Sequence, residues 1–380
     1  MSENPLLQLI EHGQSYWLDN LTRGKIHGGE LQRRVEEEGM RGVTSNPSIF
    51  MKAITGSNDY DDQIASLAAD GHSTGEIYEA LAVKDIQDAC DVLRPLYNDS
   101  GGHDGFVSLE VSPHLAHETE ATMDEARRLF QRVDRPNCLI KIPGTEAGLP
   151  AIEQMLYEGV NVNITLLFSV ERYEQVALRY IRALERRAAE GKPIDSVASV
   201  ASFFLSRIDV LVDQLLTHRI PPEMHTDQSS QAEELLGKVA IANAKLAYQS
   251  FQEIFGSARW KLLEEKGAKV QRPLWASTST KNPEYSDVRY VEPLIGPETV
   301  NTLPDSTIEA FADHGIVEPN TVTEGVDEAR QTLAELDALG IDLSRVTWQL
   351  ENEGIQKFID PFEELLEVIS ERAESVAVAK

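Results

Sequence analysis

The stretch Asn137–Cys138–Leu139–Ile140–Lys141–Ile142–Pro143 sets a lysine inside a short apolar run. Read as a strand, it alternates Leu139 and Lys141 on one face with Ile140 and Ile142 on the other. Working outward, similar runs recur: Tyr16–Trp17–Leu18, Gly42–Val43–Thr44, Phe106–Val107–Ser108–Leu109, Val160 to Thr165, Ser196 to Phe203, Pro273 to Ala276 and Thr299 to Thr302. Between them lie patterns of helical length, at Thr74–Tyr97, His114–Val133, Glu146–Tyr157 and Val170–Ala189. Short buried strands alternating with helices predict a parallel sheet, and eight such units predict an α/β fold, a (β/α)8 TIM barrel. Such a barrel needs about 250 residues. The surplus is expected in insertions near 219–230 and 257–272 and in a C-terminal helical extension from about 320. Ile355, Phe358, Phe362, Leu365 and Ile369 keep spacings of three and four there, as a packed helix does. Length alone would allow two or three domains. With no low-complexity linker, 1–380 reads as one.

Composition narrows the partners. The 380 residues carry 35 Lys+Arg against 63 Asp+Glu, a formal net charge of −28. A chain that coats nucleic acid needs clustered cations, and one that adheres to anionic membranes needs them too; neither partner is expected. A phosphorylated ligand must be held by a local cationic pocket. Cys90 and Cys138 are the only cysteines, without a CxxC, so no disulfide framework or Cys-rich zinc site is expected. The N-terminal MSENPLLQLIEHGQSYW lacks the basic start and apolar run of a signal peptide. No stretch of 18 apolar residues occurs, and the cytoplasm is the expected setting.

Strand after strand ends in a group able to do chemistry: Asp19, Asn46, Glu110, Lys141, Asn163 with Thr165, and Ser202. In a parallel barrel these ends open on one face. A polar group there carries a desolvation penalty unless paired, so a whole set of them marks a site. Singly, Asp19 could cap a helix and Asn46 could start a turn before Pro47. Lys141 admits two readings. Burial would favour its neutral amine, a nucleophile towards ketones; an ion pair with Glu110 or Asp19 would keep it charged and structural. Arg207 and Lys281 are the isolated cations nearest these ends, and either could be surface charge.

Other signals are weak. His114–Leu115–Ala116–His117–Glu118 has the wrong order for a zinc helix and reads as a helix start after Pro113. Asn58 to Asp62 lacks the glycine and distal glutamate of a calcium loop and reads as an acidic helix start. Asn163–Ile164–Thr165 fits a glycosylation sequon but lies inside a strand. No GxxxxGK[ST] or GxGxxG occurs. No metal and no cofactor is expected.

Four segments resemble transaldolase signatures: Gly42 to Phe50, Ile140–Lys141–Ile142–Pro143, Asn161 to Ser169 and Ala201 to Arg207. The resemblance runs from about Trp17 to Pro304, and the length is similar to that of the longer bacterial branch. It implies a class I aldolase barrel of the non-oxidative pentose phosphate pathway. Such an enzyme moves a dihydroxyacetone unit from sedoheptulose 7-phosphate to glyceraldehyde 3-phosphate, giving erythrose 4-phosphate and fructose 6-phosphate. By motif position, it implies Lys141 as the Schiff-base lysine and Asp19 as the acid/base at the C4 hydroxyl. Glu110 with Thr165 would position a water and move protons. Asn46, Asn163 and Ser202 would hold the three-carbon fragment, and Arg207 and Ser277 the phosphate.

Two segments depart from the pattern. The shorter-branch enzymes have a second arginine close after that serine, where this chain reads Ser277–Thr278–Ser279–Thr280–Lys281–Asn282; Lys281 would act as a point charge without a bidentate fork. After Glu110 the chain reads Val111–Ser112–Pro113. Phe204 is the expected wall against water. The related fructose 6-phosphate aldolases usually carry tyrosine at the matching place, so phenylalanine favours transfer over release. The alternatives are a lyase that releases free dihydroxyacetone and a non-catalytic barrel that binds a partner. Monomer and homodimer both remain open.

Overall fold

The computed structural model describes residues 4–219 and 227–378. Eight parallel strands close into a barrel in sequence order: β1 (Gln14–Leu18), β2 (Gly42–Val43), β3 (Phe106–Glu110), β4 (Cys138–Pro143), β5 (Val162–Leu167), β6 (Ser199–Phe204), β7 (Arg272–Ala276) and β8 (Thr299–Leu303). All are buried along their length. That burial explains their near-continuous apolar runs, since helices cover the outer face of such a sheet. The eight expected strands are all present. β5 and β6 begin later than the sequence patterns, at Val162 and Ser199, and run on to Leu167 and Phe204.

The helices differ more at their ends. The expected 114–133 helix is a 3-10 turn over Pro113–Leu115 followed by a helix over Thr119–Val133. Its apolar periodicity is real, but the α-helix itself starts only at Thr119. The 74–97 pattern extends to Asp99 with Pro95 inside, capped at its start by a reciprocal Ser73–Glu76 box. Asp61 and Asp62 sit in the first turn of the helix Asp61–Ala69, as an acidic helix start should.

The surplus length lies mainly in three places. Helices Pro47–Thr55, Asp61–Ala69 and Thr74–Asp99 separate β2 from β3. Helices Val239–Phe255 and Ala258–Glu264 precede β7, the latter within the expected 257–272 insertion. Of the expected 219–230 insertion, 220–226 lie outside the described residues. The C-terminal extension forms the helices Val326–Ala338 and Leu343–Val378. The last helix packs on Pro47–Thr55, Asp61–Ala69, Thr74–Asp99, the helix Ser206–Thr217 and β5. It therefore crosses the end of the barrel at which the strands finish.

The opposite end is plugged by polar groups. Arg272 donates to Asp104 at 3.0 Å and to Ser15 at 2.7 Å, and Ser15 donates to Asp104 at 2.8 Å. Each buried charge there has a partner, as burial demands. Near the mouth, Trp17 pairs in register with Gly42, and its indole covers the place a side chain would take. A Cβ on Gly42 would lie 2.6 Å from the Trp17 ring. Gly42→Ala is therefore expected to cost about 1–3 kcal/mol, read as a lower urea midpoint with an unchanged slope.

Candidate active site

Parallel register builds the centre of the barrel mouth. Glu110 on β3 pairs with Lys141 on β4, and Lys141 pairs with Asn163 on β5, so three polar side chains share one level. Lys141 is buried, and its Nζ donates to Glu110 Oε2 at 3.1 Å and to the Ser45 carbonyl at 3.0 Å. Of the two carboxylates the sequence offered as partners, Glu110 makes the direct contact. Asp19, immediately after β1, accepts instead from Thr44 Oγ1 at 2.7 Å.

Burial pushes both carboxyls above the ordinary range. For Glu110 the neighbouring Lys141 pulls partly back; for Asp19 the Thr44 hydrogen bond and then Lys141 do so. A carboxyl that titrates higher in the folded state stabilises the fold fully only below its unfolded value, and that stability fades as pH rises through the folded value. These two groups therefore cost stability at neutral pH, a cost carried by the rest of the fold.

Beside Lys141 lies a cavity of about 150 Å3, lined by Asp19, Asn46, Lys141, Thr165, Ser202 and Phe204, and further out by Arg207, Ser277, Lys281 and Phe358. A water needs roughly 15 Å3 on this measure, so the space admits a small polyol next to the amine. Nine of the eleven residues singled out in the sequence line this cavity, and the other two, Glu110 and Asn163, each touch a residue that does. Lys281 is an exposed residue that lines the cavity, and its amine donates to Ser279; desolvation and then Arg207 hold it below the usual lysine range.

Glu110 and Asn163 stand behind the wall rather than on it. Glu110 reaches the centre through Lys141, and it also lines a separate cleft of about 580 Å3 with Tyr78, Glu125 and Phe362. Asn163 spends its amide inside the barrel: Nδ2 donates to Ser108 at 3.1 Å, and Oδ1 accepts from Ser202 at 2.7 Å. It is fully buried, which removes it as a glycosylation acceptor. Asn46 does two things at once. Its Oδ1 caps the helix Pro47–Thr55 by accepting from the Ile49 amide at 3.0 Å, and the residue also lines the cavity.

Polar atoms are left open where a ligand would need them. Glu110 Oε1, Thr165 Oγ1 and Arg207 Nη1 are buried and make no hydrogen bond among the described residues. Arg207 makes no ion pair there either. Its guanidinium lies 5.2 Å from the Phe204 ring centre and 5.7 Å from that of Phe358, and burial lowers it below the usual arginine range. Two non-glycine residues next to the site hold left-handed backbones: Leu166 (φ 60°), where the β5–β6 register shifts, and Ser277 (φ 54°). Strain of this kind gathers at functional sites. Among the described residues no group of three or more His, Cys, Asp or Glu side chains is placed to hold a metal ion. Nor is any helix long and apolar enough to cross a membrane.

The family profile described as Transaldolase/Fructose-6-phosphate aldolase matches residues 16–369. The chain belongs to that family. It is 53% identical over 370 residues to a protein named Transaldolase 2 from Nostoc sp., covering 96% of this chain and 97% of that one. A transaldolase of Trichodesmium erythraeum is 50% identical over 378 residues, and one of Mycobacterium marinum is 46% identical over 378, each with 99% of both chains covered. Family membership over nearly the full length agrees with the closed barrel, and it makes this chain an enzyme of the transaldolase kind.

Sequence reading missed Thr44 and Phe358. Thr44 stood in a quoted motif, one residue before the polar positions given weight; Phe358 stood in the tail pattern as a packing residue. Replacing Thr44 by Val removes a hydrogen bond that favours the Asp19 carboxylate. The Asp19 titration is then expected to move to higher pH, read by carboxyl-carbon NMR on labelled protein.

Proposed function

We propose that the chain catalyses transfer of a dihydroxyacetone unit between sugar phosphates through a Schiff base on Lys141. The observation that carries this reading is the buried Lys141–Glu110 contact at the edge of a cavity large enough for the three-carbon unit. Burial disfavours the Glu110 carboxylate, so passing a proton from the lysine to Glu110 costs less than it would in water. The freed amine attacks the C2 ketone and forms the Nζ–C2 bond. The carbinolamine oxygen then leaves as water, taking a proton from Glu110, and Thr165 with Glu110 Oε1 offers open hydrogen-bonding atoms for that water.

Carbon–carbon cleavage falls to Asp19. It takes the C4 hydroxyl proton, the C3–C4 bond breaks, and the electron pair moves into the protonated imine to give an enamine. The departing aldehyde is replaced by another, and the steps reverse. Holding two carboxyls in different settings, one against Lys141 and one against Thr44, separates the two proton-handling roles.

Binding follows the same geometry. Ser202 donates to Asn163 and so keeps its lone pairs for a ligand hydroxyl, which gives Asn163 a supporting part. Asn46 caps with its oxygen and presents its amide donors. Arg207, at the first turn of the helix Ser206–Thr217, joins Ser277 and Lys281 around the phosphate, where the helix N-terminus adds favourable charge. A cationic corner of this kind is what a chain of net charge −28 needs to hold a sugar phosphate. The pentose phosphate pathway, a cytoplasmic setting and one-domain organisation of residues 1–380 belong to the same reading.

A donor–acceptor assay tests it. Fructose 6-phosphate with erythrose 4-phosphate is expected to give sedoheptulose 7-phosphate and glyceraldehyde 3-phosphate; free dihydroxyacetone as the main product would support the lyase instead. Asp19→Asn is expected to slow exchange by roughly 100- to 10,000-fold while the borohydride-reducible adduct still forms. Arg207→Ala removes a charge-assisted contact of about 1.5–3 kcal/mol. It should raise KM for phosphorylated donors by roughly 10- to 100-fold and leave unphosphorylated dihydroxyacetone donors little changed.

A further inference from the structure

The last helix enters the site through one face. Phe358 is buried, lines the cavity, and holds its ring centre 5.7 Å from Lys141 Nζ and 5.7 Å from the Arg207 guanidinium. One turn earlier stands Gly354. A Cβ there would lie 2.9 Å from Leu166 Cδ2 and 3.3 Å from Arg207 Nη1. Residues four apart share a helix face, so Gly354 lets the helix approach and Phe358 fills the space beyond it. The contact is specific on the barrel side too, because Leu166 takes its left-handed backbone where the β5–β6 register shifts.

From this we infer that Phe358 is a specificity-determining residue, which sets how the three-carbon enamine divides between transfer and release. The inference rests on the Schiff-base reading above. Release needs a proton on the enamine carbon C3, then water at C2 of the resulting iminium; the C2–Nζ bond breaks and dihydroxyacetone departs with the free amine restored. Transfer needs an aldehyde, whose carbon bonds to C3 while its oxygen takes the proton held by Asp19; the product iminium then takes water at C2 in the same way, and the C2–Nζ bond breaks to free the ketose and the amine. Both routes start from one enamine and end with water at C2, so they part at C3: water admitted beside the enamine before an aldehyde arrives can deliver the C3 proton and commit the fragment to release. The Phe358 ring, nearest the amine from the tail side, occupies space that water would otherwise enter. Phe204 and Phe358 together bracket Arg207, which holds the guanidinium without neutralising it and leaves its charge for the phosphate.

The test measures free dihydroxyacetone formed from fructose 6-phosphate against product formed with erythrose 4-phosphate, in the full-length protein. Phe358→Ala is expected to raise the release-to-transfer ratio at least tenfold, and Phe358→Leu, which restores an apolar wall, to bring it back towards the wild-type value. Gly354→Ala is expected to raise KM for fructose 6-phosphate more than it changes that ratio. An unchanged ratio in Phe358→Ala, in protein that still forms the reducible adduct, would overturn the inference. Absence of the adduct in the wild-type protein would overturn the Schiff-base reading on which it stands.

Discussion

A lysine and a glutamate are brought together where neither can be well hydrated, and most of the site follows from that constraint. β3 and β4 pair so that Glu110 stands beside Lys141, and neither strand can slip by one residue without turning its own member of the pair out of the barrel. The pair is nearly sealed from solvent, with side chains 4% and 5% exposed. Removing two charges from water is expensive, and a close contact offsets only part of that cost. The pair is therefore a poor source of stability, and in the proposed mechanism its closeness serves to move a proton between the partners. Stability is supplied elsewhere, by the apolar core.

The same economy shows in the surrounding residues. Asn163 has no free end and acts by orienting Ser202; Asn46 caps a helix with one atom and faces the cavity with the rest of its amide. Arg207 lies against two aromatic rings and makes no ion pair with a carboxylate among the described residues. Of the three, Arg207 keeps a buried polar atom, Nη1, open among the described residues. Leu166 and Ser277 accept unfavourable backbones at the two places where strand and loop must be redirected around the cavity.

Much of this was legible in the sequence, and the reason is geometric. A parallel barrel sends every strand's end to one face, so polar residues at the ends of apolar runs announce a common site before any contact is known. Asp19, Asn46, Glu110, Lys141, Asn163, Thr165 and Ser202 were readable in this way, Arg207 and Lys281 stood out as isolated cations near these ends, and the resemblance added Phe204 and Ser277. Three features were not readable. Whether Lys141 pairs with Glu110 or Asp19 depends on barrel closure and register, which strand patterns do not specify. The tail's place over the mouth is a long-range packing outcome: Phe358 carries the same apolar signal as Phe362 or Leu365, which do not line the cavity beside Lys141. The 114–119 segment looks helical by periodicity, yet its first residues form a 3-10 turn after Pro113, a choice made by tertiary packing rather than by propensity.

The central claim is that the amine of Lys141 bonds to the ketone carbon of the substrate. Reduction with borohydride in the presence of fructose 6-phosphate, followed by proteolysis and tandem mass spectrometry, locates that bond directly. The result expected is a single reduced adduct, on the peptide that contains Lys141 and on that side chain. An adduct on Lys281 or another surface lysine, or none under conditions in which the enzyme turns over, would contradict the account.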